Sequence, residues 1–170
     1  MLTMRTLAAS AMLVMAAATA PSDAAEPQAG IAVVGPSKLP VNLSLRELAE
    51  LPTTQVQTNF LTEDGRHAAT FDGPLLWTVL QKAGVINPAK HREQVSQAIM
   101  ILGRDGYRAT LALGEIAPEF EGKQVILAEQ MDGKPLDAEH LRVVVPVDKR
   151  GGRSVRDVMR IEVATLPTSQ

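Results

Sequence analysis

The sequence predicts a single α+β domain built of mixed short β-strands with a few helices. Three observations carry that reading. Alternating or β-branched apolar runs recur along the chain, separated by Gly, Pro, Asp and Asn turn signals. Only residues 44–51 and 74–84 place apolar side chains at clear helical spacing. The 170 residues suit one domain able to bury a proper core, and no internal repeat or low-complexity tract divides them.

The elements follow in order. Residues 31–34 read as a first strand, closed by the Gly35-Pro36 turn. Ser44 and Glu47 have capping-box spacing, a hydroxyl for an N-terminal amide and a carboxylate to answer it. Leu45, Leu48 and Leu51 then share one helical face, and Pro52 ends the helix. Val56, Thr58 and Phe60 alternate with Gln55, Gln57 and Asn59, the period of a half-buried strand, and a turn at residues 63–66 leads into a return strand over 67–71. Pro74 suits a first helical turn, with Leu75, Leu76, Val79, Leu80 and Ala83 as the apolar face and Gly84 as the cap. Trp77 lies at the edge of that face, closing the core or walling a ligand site. Residues 95–102, 107–111, 125–128 and 141–145 read as further strands, with 87–93 a polar connection and 114–120 a short helix or irregular loop.

Composition excludes several functions. A net charge of −2 offers nothing to nucleic acid or an anionic membrane, and 3% aromatics argues against a base-stacking surface. There is no cysteine, so no disulfide, thiolate metal ligand or cysteine nucleophile exists. His67, His91 and His140 stand far apart, without metal-ligand spacing, and no Gly-x-Ser-x-Gly occurs. Asp72, Asp105 and Asp132 each precede glycine and read as turn formers. Glu115, Glu119 and Glu121 read as a solvated acidic face rather than a carboxylate cluster.

Residues 1–24 have the form of an export signal: one early cation, Arg5, an apolar run over 7–20 too short to span a bilayer, and small residues before a cut after Ala24. The expected division is a signal peptide over 1–24 and a single domain over 25–170, with its core at about 31–163. The product is expected in the periplasm or secreted, with no membrane span in the mature chain. The signal lacks paired arginines, which points to export as an unfolded chain.

The densest stretch lies near the C-terminus. Val143-Val144-Val145 has the composition of a buried strand, and Pro146 stops it. Adjacent glycines, Gly151 and Gly152, then stand among Lys149, Arg150, Arg153 and Arg156. Glycines let a backbone approach a ligand, free amides in a turn form an anion-binding nest, and arginine adds charge-assisted bonds to phosphate. The physical reading is a strand delivering a phosphate-sized anion site; the alternative is a solvated basic loop.

This stretch, ending in Arg160-Ile161-Glu162-Val163, resembles the molybdopterin-binding domain of sulfite-oxidase-type oxidoreductases. Asp72-Gly73-Pro74-Leu75-Leu76-Trp77-Thr78-Val79-Leu80 and Gly103-Arg104-Asp105-Gly106-Tyr107 are similar to two earlier motifs of that family, in the same order. The resemblance implies that family's α+β fold, a molybdopterin cofactor, and a phosphate-binding segment at Gly151, Gly152, Arg153, Ser154 and Arg156. Asp157 stands where the family often has tryptophan, and offers a carboxylate to Arg153 or Arg156. The family holds molybdenum through one protein cysteine, expected near residues 58–65, which here offer only oxygen and amide groups. Its early His- and Pro-containing pterin loop also has no counterpart, and its cofactor is loaded onto folded protein. The sequence thus points to an exported protein of this fold binding a phosphate-bearing pterin or other anionic small molecule, without cysteine-ligated molybdenum and with no metal-ligand set. The alternatives are a minimal molybdopterin-dependent oxidoreductase and a non-catalytic module for a periplasmic protein partner.

Overall fold

The computed structural model describes residues 30–166, apart from 37, 63 and 64. The proposed signal segment lies outside the described residues. Strands β1 (Gly30–Val34) and β2 (Val41–Ser44) pair antiparallel and lead into helix α1 (Leu45–Ala49). β3 (Thr53–Thr62) and β4 (Gly65–Pro74) form a long hairpin in continuous register. Helices α2 (Leu76–Lys82) and α3 (His91–Gln94) precede a second hairpin, β5 (Gln97–Gly103) and β6 (Arg108–Ala112), followed by α4 (Leu113–Ile116). Then come β7 (Ile126–Ala128), a small hairpin of β8 (Gln130–Met131) and β9 (Lys134–Pro135), β10 (Arg142–Val144) and β11 (Val158–Thr165).

Three sheets result. The largest has the order β2-β1-β11-β5-β6, in which β1 and β11 run parallel and the other neighbours antiparallel. A second has the order β3-β4-β8-β9, and β7 pairs with β10 in a ribbon. That ribbon separates two apolar clusters. Leu127, Val143 and Val145 belong to the main core with Ile31, Leu80, Ile101 and Ile161, whereas Ile126, Ala128 and Val144 pack with Val56 and Phe71 beneath the β3–β4 hairpin. Successive side chains on a strand point to opposite faces, so a run buried on both faces must be apolar throughout. This is why Val143-Val144-Val145 contains no polar residue.

Local signals explain most boundaries. The capping box forms as expected: Ser44 Oγ accepts from the Glu47 amide at 3.3 Å, and Glu47 Oε2 accepts from the Ser44 amide at 2.9 Å. Leu48 is fully buried and Pro52 follows the helix. Ser44→Ala should therefore lower stability by about 1 kcal/mol, read as a shift in the urea midpoint with unchanged slope. At the end of α2, Gly84 has φ +65°, and the bonds Gly84 N–H to Gln81 O and Val85 N–H to Leu80 O make a Schellman close. Trp77 is buried in the main core, the first of its two expected roles.

Several expectations are corrected. Pro74 ends β4 opposite Thr53, and α2 starts at Leu76, whose amide donates to Val125 O. Asp72-Gly73 is strand, not turn: Gly73 faces β7 so closely that a Cβ there would lie 2.1 Å from Leu127 O. β2, α3 and the β8–β9 hairpin add to the expected elements, the last closed by Asp132 and Gly133 at φ 50° and 74°. No helix among the described residues is long and apolar enough to cross a membrane.

Candidate functional site

The loop between β10 and β11 is stitched back onto the strand that delivers it. Ser154 Oγ accepts from the Val145 amide at 3.0 Å, and the Val143 amide donates to Val155 O at 3.0 Å. Gly151–Arg153 form one 3-10 turn, with the Ser154 amide bonded to Gly151 O at 3.0 Å. Neither Gly151 nor Gly152 has positive φ, so the loop is not a nest of alternating hand. Gly151 instead lets the loop pack closely on the hairpin: a Cβ there would lie 3.3 Å from the Phe60 ring, a tight contact. Tyr107 donates its hydroxyl to Gly152 O at 2.6 Å, tying the loop to the start of β6. Tyr107→Phe should cost about 1 kcal/mol, measured by chemical denaturation.

Arg153 is occupied by carboxylates. Its Nε and Nη2 grip Asp148 at 2.9 and 2.6 Å, and its Nη1 meets Glu115 Oε1 and Oε2 at 3.2 and 3.0 Å. Lys123 reaches the same Glu115 at 2.7 Å and Glu121 at 3.2 Å. The bonds to Asp148, then to Glu115, hold the Arg153 guanidinium firmly protonated against the opposing effect of burial. Burial pushes the Glu115 carboxyl up, but bonds from Lys123, the Ala112 amide and Arg153 outweigh it and hold the group below its ordinary value. The loop is thus partly self-neutralised, through Asp148 and Glu115 rather than the expected Asp157.

Part of the unneutralised charge lies on the inner face of the hairpin. Arg142 and Arg156 line a pocket of about 380 Å³ with Phe60, His67, Phe71 and Met131. Arg142 is half-buried, with its guanidinium 5.3 Å from the centre of the Phe71 ring and Nη1 3.9 Å from Met131 Sδ. Its Nε is buried without a hydrogen-bond partner among the described residues. Burial, then repulsion from Arg156, lowers its pKa, with Asp157 acting in the opposite direction. Neither arginine has a carboxylate within salt-bridge distance among the described residues. A buried donor without a partner and two adjacent uncompensated cations make this pocket complementary to an anion with an apolar body.

Of the residues singled out in the sequence, Arg156 lines this pocket, Gly151 packs against Phe60 at its rim, Gly152 is held by Tyr107, and Arg153 and Ser154 brace the loop. Arg142 was not singled out; the signal for it is a cation opening an otherwise apolar strand. Glu115, read as a solvated face, is a central acceptor of the Arg153 network. Among the described residues no group of three His, Asp or Glu side chains is placed to hold a metal ion.

A model of the oxidoreductase molybdopterin binding domain family matches residues 19–170. Among solved structures, the sulfane dehydrogenase SoxCD from Paracoccus pantotrophus is similar, with TM-score 0.59 and 19% identity over 78% of this chain. The match covers 37% of that structure's chain, and at such identity the likeness is one of fold. No curated protein matches.

Proposed function

Because the chain belongs to the oxidoreductase molybdopterin binding domain family, we propose that it is an exported protein that holds a phosphate-bearing pterin, or a related anionic small molecule, without cysteine-ligated molybdenum. Arg156 and Arg142 supply the charge, and the Gly151–Arg153 turn packs behind Phe60, which lines the pocket. The observation that carries this reading is the buried Nε of Arg142, unpartnered among the described residues, beside a second cation, Arg156. Such a donor is costly until an acceptor meets it, and a ligand oxygen is suited to do so. Phe60, partly exposed at the pocket, offers apolar surface to a heterocycle, and Phe71 backs Arg142 from beneath.

The residues fit the anionic end of the cofactor and do not fit a thiolate-held metal. The chain has no cysteine, and the hairpin tip where the thiolate would be expected offers oxygen and amide groups. The form of residues 1–24 supports export to the periplasm or beyond, and family membership itself favours the competing reading of a minimal molybdopterin-dependent oxidoreductase.

The test is metal and pterin content of the protein purified from the periplasm of a bacterium that makes molybdenum cofactor, expressed as its full precursor. The expected result is bound pterin, or uptake of a pterin phosphate on titration, with molybdenum far below one per chain. Stoichiometric molybdenum would overturn the proposal in favour of the enzyme. Neither pterin nor phosphate binding would leave a protein-interaction module.

A further inference from the structure

We propose that the free edge of β3 pairs with an extended acidic segment of a partner protein. This surface lies on the opposite face of the hairpin from Phe60 and His67 and does not depend on the ligand assigned above.

β3 is the outermost strand of its sheet and runs ten residues in unbroken register with β4. It contains no charged residue and no proline. Long flat edges of this kind recruit other strands, and proteins normally blunt them with short strands, charge, proline or bulges. The other edges here are blunted: β9 is two residues ending in Pro135, β2 is four, and β6 is five with Arg108 at its start. Among the described residues only β3 is left long and plain.

Its backbone is free to pair. The Leu61 amide points away from β4 and donates to Lys149 O at 3.0 Å. In an antiparallel ladder alternate residues present their backbone groups to the same side. Asn59, Gln57 and Gln55 therefore also face outward, and their amides have no backbone partner among the described residues. The protein's own loop closes the last position of the edge and leaves the rest open.

The groove beside this edge, about 770 Å³, states the partner's chemistry. Arg66, Lys149 and Arg150 line it without a carboxylate partner among the described residues, and its Asp148 is held by Arg153. Leu61 and Val147, 39% and 67% exposed, add apolar contact. An incoming strand alternating acidic and apolar residues satisfies the backbone, the cations and the apolar positions together. A second copy of the chain fits less well, because it would bring the same three cations against their counterparts.

Fluorescence anisotropy with a short labelled peptide alternating valine and glutamate tests this on the mature protein. Binding is expected, with affinity at least about tenfold lower for the valine–lysine counterpart and for the peptide N-methylated at alternate amides. Asn59→Pro should weaken binding similarly, since it removes an amide that bonds nothing inside the protein. No binding of the acidic peptide, or equal binding of its N-methylated form, overturns strand pairing whether or not the variant folds. A concentration-dependent dimer in sedimentation that Asn59→Pro abolishes would overturn the acidic partner in favour of a second copy.

Discussion

Replacing Arg142 by Met or Arg156 by Gln should each weaken binding of a pterin monophosphate about ten- to a hundredfold, and the double variant should show no measurable binding by titration calorimetry. A hydrogen bond to a charged group contributes about 1.5–3 kcal/mol, and each ~1.4 kcal/mol is tenfold in Kd. Arg153→Gln should leave the affinity within about threefold, because its guanidinium already serves Asp148 and Glu115 rather than the pocket. The contrast separates two arginines that stand three residues apart in one motif. Stability gives a second readout. Arg142 is half-buried, repelled by Arg156 and lacks a partner for Nε, so Arg142→Met should leave the ligand-free protein as stable as wild type or more so. A lower melting temperature in that variant, with ligand affinity unchanged, would make Arg142 a structural residue and remove the main support for the pocket.

Local chemistry was legible in the sequence wherever neighbours in the chain decide the structure. The Ser44–Glu47 box, the alternation of Val56, Thr58 and Phe60, the Gly84 close and the all-apolar Val143-Val144-Val145 run each act within a few residues, and each forms. The corrections share a cause in partners distant along the chain. Pro74 and Gly73 look like a turn and a helix start, yet β7 approaches Gly73 and Val125 O caps the amide of Leu76. The β8–β9 hairpin is only two residues on each side, too short for any period to show. The candidate site was half legible. Its loop announces itself through paired glycines and repeated cations, but charge in a sequence does not say which cations are already spent. Glu115 lies 38 residues before Arg153, and only folding brings it to the loop. Arg142 is conspicuous only once the surrounding strand is known to be buried on both faces.

Loss of the Arg153 guanidinium should be the most damaging change in the loop itself. Asp148 and Glu115 retain only 17% and 21% of their side-chain exposure, and Arg153 bonds to both. Breaking a buried pair costs about 3–5 kcal/mol, while an exposed pair contributes at most about 1. Arg153 is itself 36% exposed, so Arg153→Met should cost about 2 kcal/mol at neutral pH, a fall of roughly 4–8 °C in Tm for a chain of this size. The loss should depend on pH in a defined direction. Glu115 titrates below its ordinary value of 4.5 in the folded protein, so its contribution is complete above that value and fades as pH falls through the lower folded one. Wild type should therefore lose stability on acidification below about pH 4.5, and Arg153→Met, having already lost part of that contribution, should lose less. The two unfolding curves converge in acid. Lys123 remains beside Glu115 in the variant, so convergence should be incomplete unless Lys123→Met is added. Adding Asp148→Asn to Arg153→Met should recover part of the neutral-pH loss by removing the carboxylate left without its cation. Parallel curves across pH 3 to 7, or a single variant as stable as wild type, would show that the loop is held by its glycine turn and the Ser154 bond alone.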